Sequence, residues 1–253
     1  MAAHLLAATL LTPAFALAQT ITISSGSQFS LSSGSLNAGC GDVAVAGTLS
    51  IDSGSANNLR NVAINSGTIN GGSGQINLSG DWLNQGTFNA QTGTVQVTDG
   101  CGTTLSQLSG DTTFNRFVAS TASGKQLQPS TGSTQTFTGG LTLSGTGPDK
   151  LLVRTSSAGA TAAFILSQGA SQTISGIDAQ DIDSSAGETI APGPPERFNS
   201  VDSGNNTNWF ISAIKEIVPV DTLPAPMLAI LVMLILLLGI KARTPLTQRL
   251  SGK

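Results

Sequence analysis

The sequence has no tyrosine, one histidine, two cysteines and only 10% charged residues. An ordinary soluble domain carries about 25% charged residues, so uncharged polar groups must cover much of this surface. The single histidine, His4, lies in a segment that we expect to be removed, which excludes His-based catalytic triads and His-liganded zinc sites from the mature chain. The net charge of −3 argues against a nucleic-acid partner, because such binding relies on Lys and Arg to neutralise phosphates.

Small polar residues take the place of charge. The 253 residues include 30 Gly, 31 Ser and 29 Thr. Glycine costs about 1 kcal/mol per helical position, and Ser and Thr compete for backbone hydrogen bonds, so a helical bundle is disfavoured. The many β-branched residues and the low net charge also argue against plain disorder. Composition therefore predicts an all-β chain.

A repeat of 19–20 residues organises the middle of the chain. A Gly-Thr-apolar unit occurs at 47–49, 67–69 and 86–88. Valines and isoleucines repeat at the same step, as in Val43 to Val62 and Ile76 to Val95, and the step seems to continue from Val95 to Phe114 and from Val118 to Phe137 when the sequence is aligned on itself. Repeats of about 20 residues with short strands are typical of solenoids.

The repeat predicts a parallel β-helix over residues 19–182, with seven or eight coils stacked about 4.8 Å apart. Leu49, Ile69 and Phe88 should then form one interior column. A β-sandwich is the alternative, but it does not predict a constant spacing. Residues 183–218 break the repeat with Pro and Gly and are expected to form a C-terminal cap and linker.

Both ends of the chain predict passage through or into a membrane. Residues 1–18 are apolar and end in a small-x-small sequence, which indicates a signal peptide, with a short helix of the fold as the alternative. Residues 223–240 could form about 27 Å of apolar transmembrane helix, tolerating prolines in its first turn. The basic residues Lys241 and Arg243 follow, so the positive-inside rule places this tail in the cytoplasm.

The segment 219–253 resembles a bacterial C-terminal sorting signal. Val220, Asp221, Thr222, Leu223 and Pro224 are similar to the Ile-Pro-Thr-Leu motif of the IPTL-CTERM family, and the helix and basic end follow in the same order. The resemblance implies recognition, and cleavage, by an exosortase-type membrane protease. The alternative is a simple membrane anchor.

The middle of the chain resembles the passengers of bacterial surface proteins. Gly-Asp-Trp-Leu-Asn-Gln-Gly-Thr-Phe at 80–88, Gly-Thr-Val-Gln-Val at 93–97 and the Gly-Asn-Asn-Thr-Asn-Trp ending at 204–209 are similar to the repeat unit and ending of β-helical passengers. The resemblance implies an extracytoplasmic right-handed β-helix of adhesin type, without catalytic residues.

Three aspartates form the main acidic cluster. Asp178, Asp181 and Asp183, with oxygen-bearing side chains downstream, could hold calcium, could act as paired catalytic carboxylates, or could simply bond local backbone in turns. Calcium is the only cofactor that the sequence suggests. Trp82 and Trp209 could be sugar-stacking platforms or core residues.

The two cysteines lie 61 residues apart, each between glycines. Export permits a disulfide. Three repeats would separate Cys40 and Cys101 by about 14 Å, too far for a bond unless a corner loop bends back. A disulfide and two free thiols therefore both stay open.

These patterns predict an exported, membrane-anchored or sorted structural protein of the cell surface, adhesin-like and without catalytic activity. Its partners would be the membrane, the sorting protease, and surface polysaccharide or neighbouring copies. A secreted polysaccharide-active β-helix enzyme and a self-associating surface-layer subunit are the alternatives.

Overall fold

The computed structural model describes residues 19–210 and, beyond them, Met227, Ala229, Ile230, Met233 and Leu234. The described chain is all-β and forms a parallel β-solenoid of about eight turns, which confirms the predicted architecture. The strands are β1 (Ile21–Ile23), β2 (Gln28–Ser30), β3 (Ser35–Asn37), β4 (Val43–Val45), β5 (Thr48–Ser50), β6 (Ser55–Leu59), β7 (Val62–Ile64), β8 (Thr68–Asn70), β9 (Gln75–Leu78), β10 (Trp82–Asn84), β11 (Thr87–Asn89), β12 (Thr94–Val97), β13 (Leu105–Ser109), β14 (Thr112–Thr121), β15 (Gln126–Pro129), β16 (Thr134–Gly145), β17 (Leu151–Arg154), β18 (Ala162–Leu166), β19 (Ser171–Ser175), β20 (Ile177–Gln180), β21 (Ile182–Asp183) and β22 (Val201–Asp202).

Three parallel sheets form the walls. Sheet 1 runs β1-β4-β7-β10-β13-β15-β17-β20-β22, sheet 2 runs β2-β5-β8-β11, and sheet 3 runs β3-β6-β9-β12-β14-β16-β18-β21, with β19 also paired to β16. Turns 1 to 4 each place one strand in every sheet. Sheet 2 ends after turn 4, and the long strands β14 and β16 take up that side of turns 5 and 6.

The register confirms the interior column. Leu49 pairs with Ile69, and Ile69 pairs with Phe88, as the 19–20 spacing predicts. The extension of that spacing beyond turn 4 was wrong, because Val95 pairs with Phe117 rather than with Phe114. A longer corner between β12 and β13 adds residues to this turn and shifts the later steps.

The Gly-Thr-apolar repeat marks a corner where successive turns nearly touch. A Cβ atom at Gly67 would stand 2.6 Å from the carbonyl oxygen of Gly47, and one at Gly86 would meet the carbonyl oxygen of Gly67. Side chains do not fit at such distances. Close backbone approach, rather than a positive φ, therefore explains glycine at these positions.

Aromatic rings fill the core of the later turns. Trp82, Phe114, Phe117, Phe137 and Phe164 are fully buried. Successive ring centroids along this series lie 4.8–5.6 Å apart, and Phe164 continues to Trp209 at 6.0 Å. Bulky rings occupy the interior on the side where sheet 2 has ended, whereas Val, Ile and Leu suffice between three walls.

The C-terminal end of the solenoid is covered by a short 3₁₀ helix, Pro195–Phe198, and by β22. Trp209 and Phe210 are buried there, at 3% and 4% exposure. Among the residues that the structure describes, no helix reaches the length and apolar character needed to cross a membrane. The predicted signal peptide 1–18 lies outside them, as does most of the predicted membrane helix.

Candidate functional site

The outer faces of sheets 2 and 3 carry ladders of amide and hydroxyl side chains. On sheet 3 the Asn77 amide donates to Asn57 at 2.5 Å, and the Asn57 amide donates to Ser35 at 2.9 Å. On sheet 2 the Asn89 amide donates to Asn70 at 2.9 Å. Parallel stacking places like residues about 4.8 Å apart, which lets each side chain bond to its neighbour in the next turn.

Sheet 1 presents a shallow groove of about 350 Å³ on its outer face. A polar column forms one side, where residues directly before or within successive strands stack: Asp42, Asn61, Asp81 and Gln107. The Asn61 amide donates to Asp42 at 2.9 Å, and the Gln107 N–H donates to Asp81 at 2.8 Å. This groove is the best-formed polar concavity along the rod and could contact an extended polar ligand.

An ion pair closes one end of this groove. Arg60 donates to both carboxylate oxygens of Asp42, at 3.0 and 2.9 Å. The hydrogen bond from Arg60 holds the pKa of the Asp42 carboxyl below its usual value, and the amide of Asn61 adds to the effect. The carboxylate is therefore already paired inside the fold and is a poor proton donor.

The structure does not bring the three predicted calcium ligands together. Asp178 accepts from Arg154 at 2.6 Å on the face of sheet 1. Asp181 is buried and accepts from the N–H of Gly159 at 3.0 Å, whereas Asp183 accepts from the N–H of Ser185 at 2.8 Å. The last contact lowers the pKa of the Asp183 carboxyl.

Each of these carboxylates thus serves a separate local contact. Within residues 19–210 no group of three His, Cys, Asp or Glu side chains stands close enough to hold a metal ion. The residues present therefore do not form a calcium site in this arrangement, and no step is derived through that ion.

Both tryptophans lie inside the solenoid. Trp82 has no exposed surface, and its indole N–H donates to the Thr112 hydroxyl at 3.3 Å. Trp209 is 3% exposed and packs beside Phe164. Neither ring offers a face to a sugar, so both act as core residues.

Cys40 and Cys101 are joined by a disulfide, with their Cα atoms 5.4 Å apart. The corner loop between β12 and β13 bends back along the stack, and its own bridge pairs Gly100 with Thr103. This backward bend bridges the three turns that the repeat places between the cysteines. The disulfide ties the corner after turn 1 to the corner after turn 4.

A buried lysine lies beneath that loop, and sequence reasoning missed its role. Lys125 is 1% exposed, and its ammonium donates to the carbonyl oxygens of Ser79 at 2.6 Å and Thr103 at 3.0 Å and to the Ser106 hydroxyl at 3.3 Å. Burial lowers the pKa of Lys125, and the attraction of Asp99 partly offsets this. Strand alternation was the available signal, since it places Lys125 on the same inward face as Leu127.

Asp99 completes this corner. Burial would raise the pKa of its carboxyl, but hydrogen bonds from the Ala122 N–H and the Thr121 hydroxyl, both at 2.7 Å, outweigh burial and hold the pKa below its usual value. The Ser106–Lys125 contact resembles a Ser–Lys pair, but Ser106 is fully buried. The arrangement seals a corner and leaves no room for a substrate.

The predicted sorting motif, Val220 to Pro224, and the basic residues Lys241 and Arg243 lie outside the described residues. Comparison with protein-family models, with curated proteins and with solved structures finds no match to this chain.

Proposed function

We propose that this protein is an exported structural rod of the cell surface, adhesin-like and without catalytic activity, held or sorted by its C-terminal segment. The solenoid would supply a stiff polar body about 38 Å long, taking about 4.8 Å per turn. The passenger would lie outside the cytoplasm, with the basic tail inside.

One observation carries the proposal: the described residues near the C terminus expose apolar side chains from a single helical segment. Met227, Ile230, Met233 and Leu234 are 58%, 65%, 68% and 55% exposed. Their spacing of three and four residues places them along one helix face. A contiguous apolar face of this kind needs a nonpolar environment, and a lipid bilayer provides one.

Two features of the solenoid support a location outside the cytoplasm. The Cys40–Cys101 disulfide is typical of oxidising compartments. The outer faces are covered by hydroxyl and amide ladders, which suit hydrogen bonding to polysaccharide or to wet surfaces. The groove beside Asp42 and Asp81 is the face that we assign to such contact.

Cell fractionation with intact-mass measurement tests the proposal. The wild-type chain should be found in the membrane or cell-surface fraction, and its mass should report removal of residues 1–18 and any cleavage near 220–224. Replacing Leu234 and Leu236 with Lys should move the protein to the medium or the periplasm, because charge in a membrane segment costs about 2.5–3.5 kcal/mol per residue.

A matched control adds the same charge elsewhere. Thr68→Lys with Thr87→Lys alters two side chains on the outer face of sheet 2 and should leave the distribution unchanged. Wild-type protein that is fully soluble without proteolysis would contradict anchoring. Cleavage of a surface polysaccharide by the wild-type chain would contradict the absence of catalysis and favour the enzyme alternative.

A further inference from the structure

The first turn of the solenoid ends the stack with three open strand edges. β1, β2 and β3 are the terminal strands of their sheets and pair on one side only, with β4, β5 and β6. In β2 the Ser27 carbonyl and the Leu31 N–H point toward turn 2. Since backbone groups alternate along a strand, the N–H and C=O groups of Gln28 and Ser30 point out of the open end.

This end lacks the protection that strand edges usually carry. No side chain between Gln19 and Gly41 is charged, although charged residues and prolines commonly prevent edge pairing. The opposite end differs, because Glu196, Arg197 and Asp202 lie there beside the 3₁₀ helix. Only the first turn therefore offers an uncharged edge.

Apolar surface accompanies the open edges. Phe29 begins the interior column that continues through Leu49 and Ile69, and it is 44% exposed, whereas Leu49 and Ile69 are 2% and 0% exposed. Leu31 and Leu36, in the same turn, are only partly buried. An occupant must therefore both pair with strands and cover a hydrophobic interior.

We propose that turn 1 is a self-association surface through which two copies of this chain meet tip to tip. A single peptide could pair with one open edge, but a three-sided coil of matching size pairs with all three. The first turn of a second copy has that shape, with three strands of three residues each. A two-fold axis then makes the contact isologous and closes it as a dimer.

The position of this surface gives the dimer a consequence that rests on the proposed function. Turns stack in chain order, so turn 1 lies at the end of the rod opposite to the end from which the chain continues toward its C-terminal segment. If that segment anchors the protein, turn 1 points away from the membrane. Tip-to-tip pairing would then join copies on two facing surfaces, which is homophilic adhesion.

Sedimentation of the full chain in detergent tests the contact itself. The wild-type protein should change from monomer to dimer as its concentration rises. Phe29→Lys should halve the sedimenting mass at concentrations where the wild type is dimeric, because it places a charge in the interface. Gln28→Pro should do the same by removing an N–H from the open edge, which a folded edge strand tolerates.

Val201→Lys is the matched control. Val201 is 40% exposed at the other end of sheet 1, so it receives the same charge with similar exposure and should stay dimeric. Circular dichroism should show that all three variants keep the wild-type β spectrum.

Four results would overturn the inference: a wild-type chain that stays monomeric, dimers that persist in both folded tip variants, equal dissociation of Val201→Lys, or masses that grow beyond the dimer. Association through the C-terminal helix in detergent would give the second of these. Fractionation reports on anchoring and sedimentation reports on the tip, so either proposal can fail without the other.

Discussion

Removal of the Cys40–Cys101 disulfide should cost a large part of the stability of the solenoid. The bond closes a loop of 61 residues in the unfolded chain. Chain-entropy estimates give about 3 kcal/mol for 15 residues and about 4.7 kcal/mol for 100, so this loop corresponds to about 4 kcal/mol. The closed loop contains turns 2 to 4, whose short strands depend on stacking for stability.

Urea unfolding of the double variant Cys40→Ser/Cys101→Ser, compared with wild type, measures this cost. We expect a loss of about 4 kcal/mol in the free energy of unfolding. The control is chemical reduction, which should lower the stability of the wild type by a similar amount and leave the double variant unchanged. A difference below about 1 kcal/mol between oxidised wild type and the double variant would refute the loop-closure reasoning.

Three further predictions concern the core and the charged groups. Phe137→Ala should cost about 3–5 kcal/mol in urea unfolding, because Phe137 is fully buried among other rings; a loss below about 1 kcal/mol would contradict the continuous aromatic core. Lys125→Met should cost about 1–3 kcal/mol by leaving buried carbonyl oxygens unpaired, whereas Lys150→Met, whose hydrogen bond is exposed, should cost less; equal losses would contradict this role. The lowered pKa values of Asp42 and Asp99 mean that the unfolded chain takes up protons first, so their stabilisation is full above about pH 4 and is lost as the pH falls further; a urea midpoint that does not fall between about pH 5 and about pH 3 would contradict it.

The regular part of the fold could be predicted because its signal is local and periodic. The Gly-Thr-apolar spacing identified the column of Leu49, Ile69 and Phe88, and the register confirms it. The prediction failed after Val95, where a corner loop of irregular length interrupts the period. A step of 19 residues cannot be extended through a loop whose length depends on tertiary contacts.

The candidate site depended on contacts that the sequence does not encode locally. Asp178, Asp181 and Asp183 are near neighbours in the chain, but alternation and a corner direct them to different partners. The position of Lys125 under the loop required knowledge that the disulfide bends this loop backward. The sequence also gave no sign that an aromatic series would replace the missing strands of sheet 2.

The tight glycine corner has a consequence for how such a rod could change its length. Because Gly47, Gly67 and Gly86 occupy equivalent places, the early turns are interchangeable units that present the same contacts above and below. Duplication or deletion of a whole turn in this region would preserve every column, whereas a change of a few residues would disrupt all of them. The rod can therefore gain or lose reach in steps of about 4.8 Å without a new core.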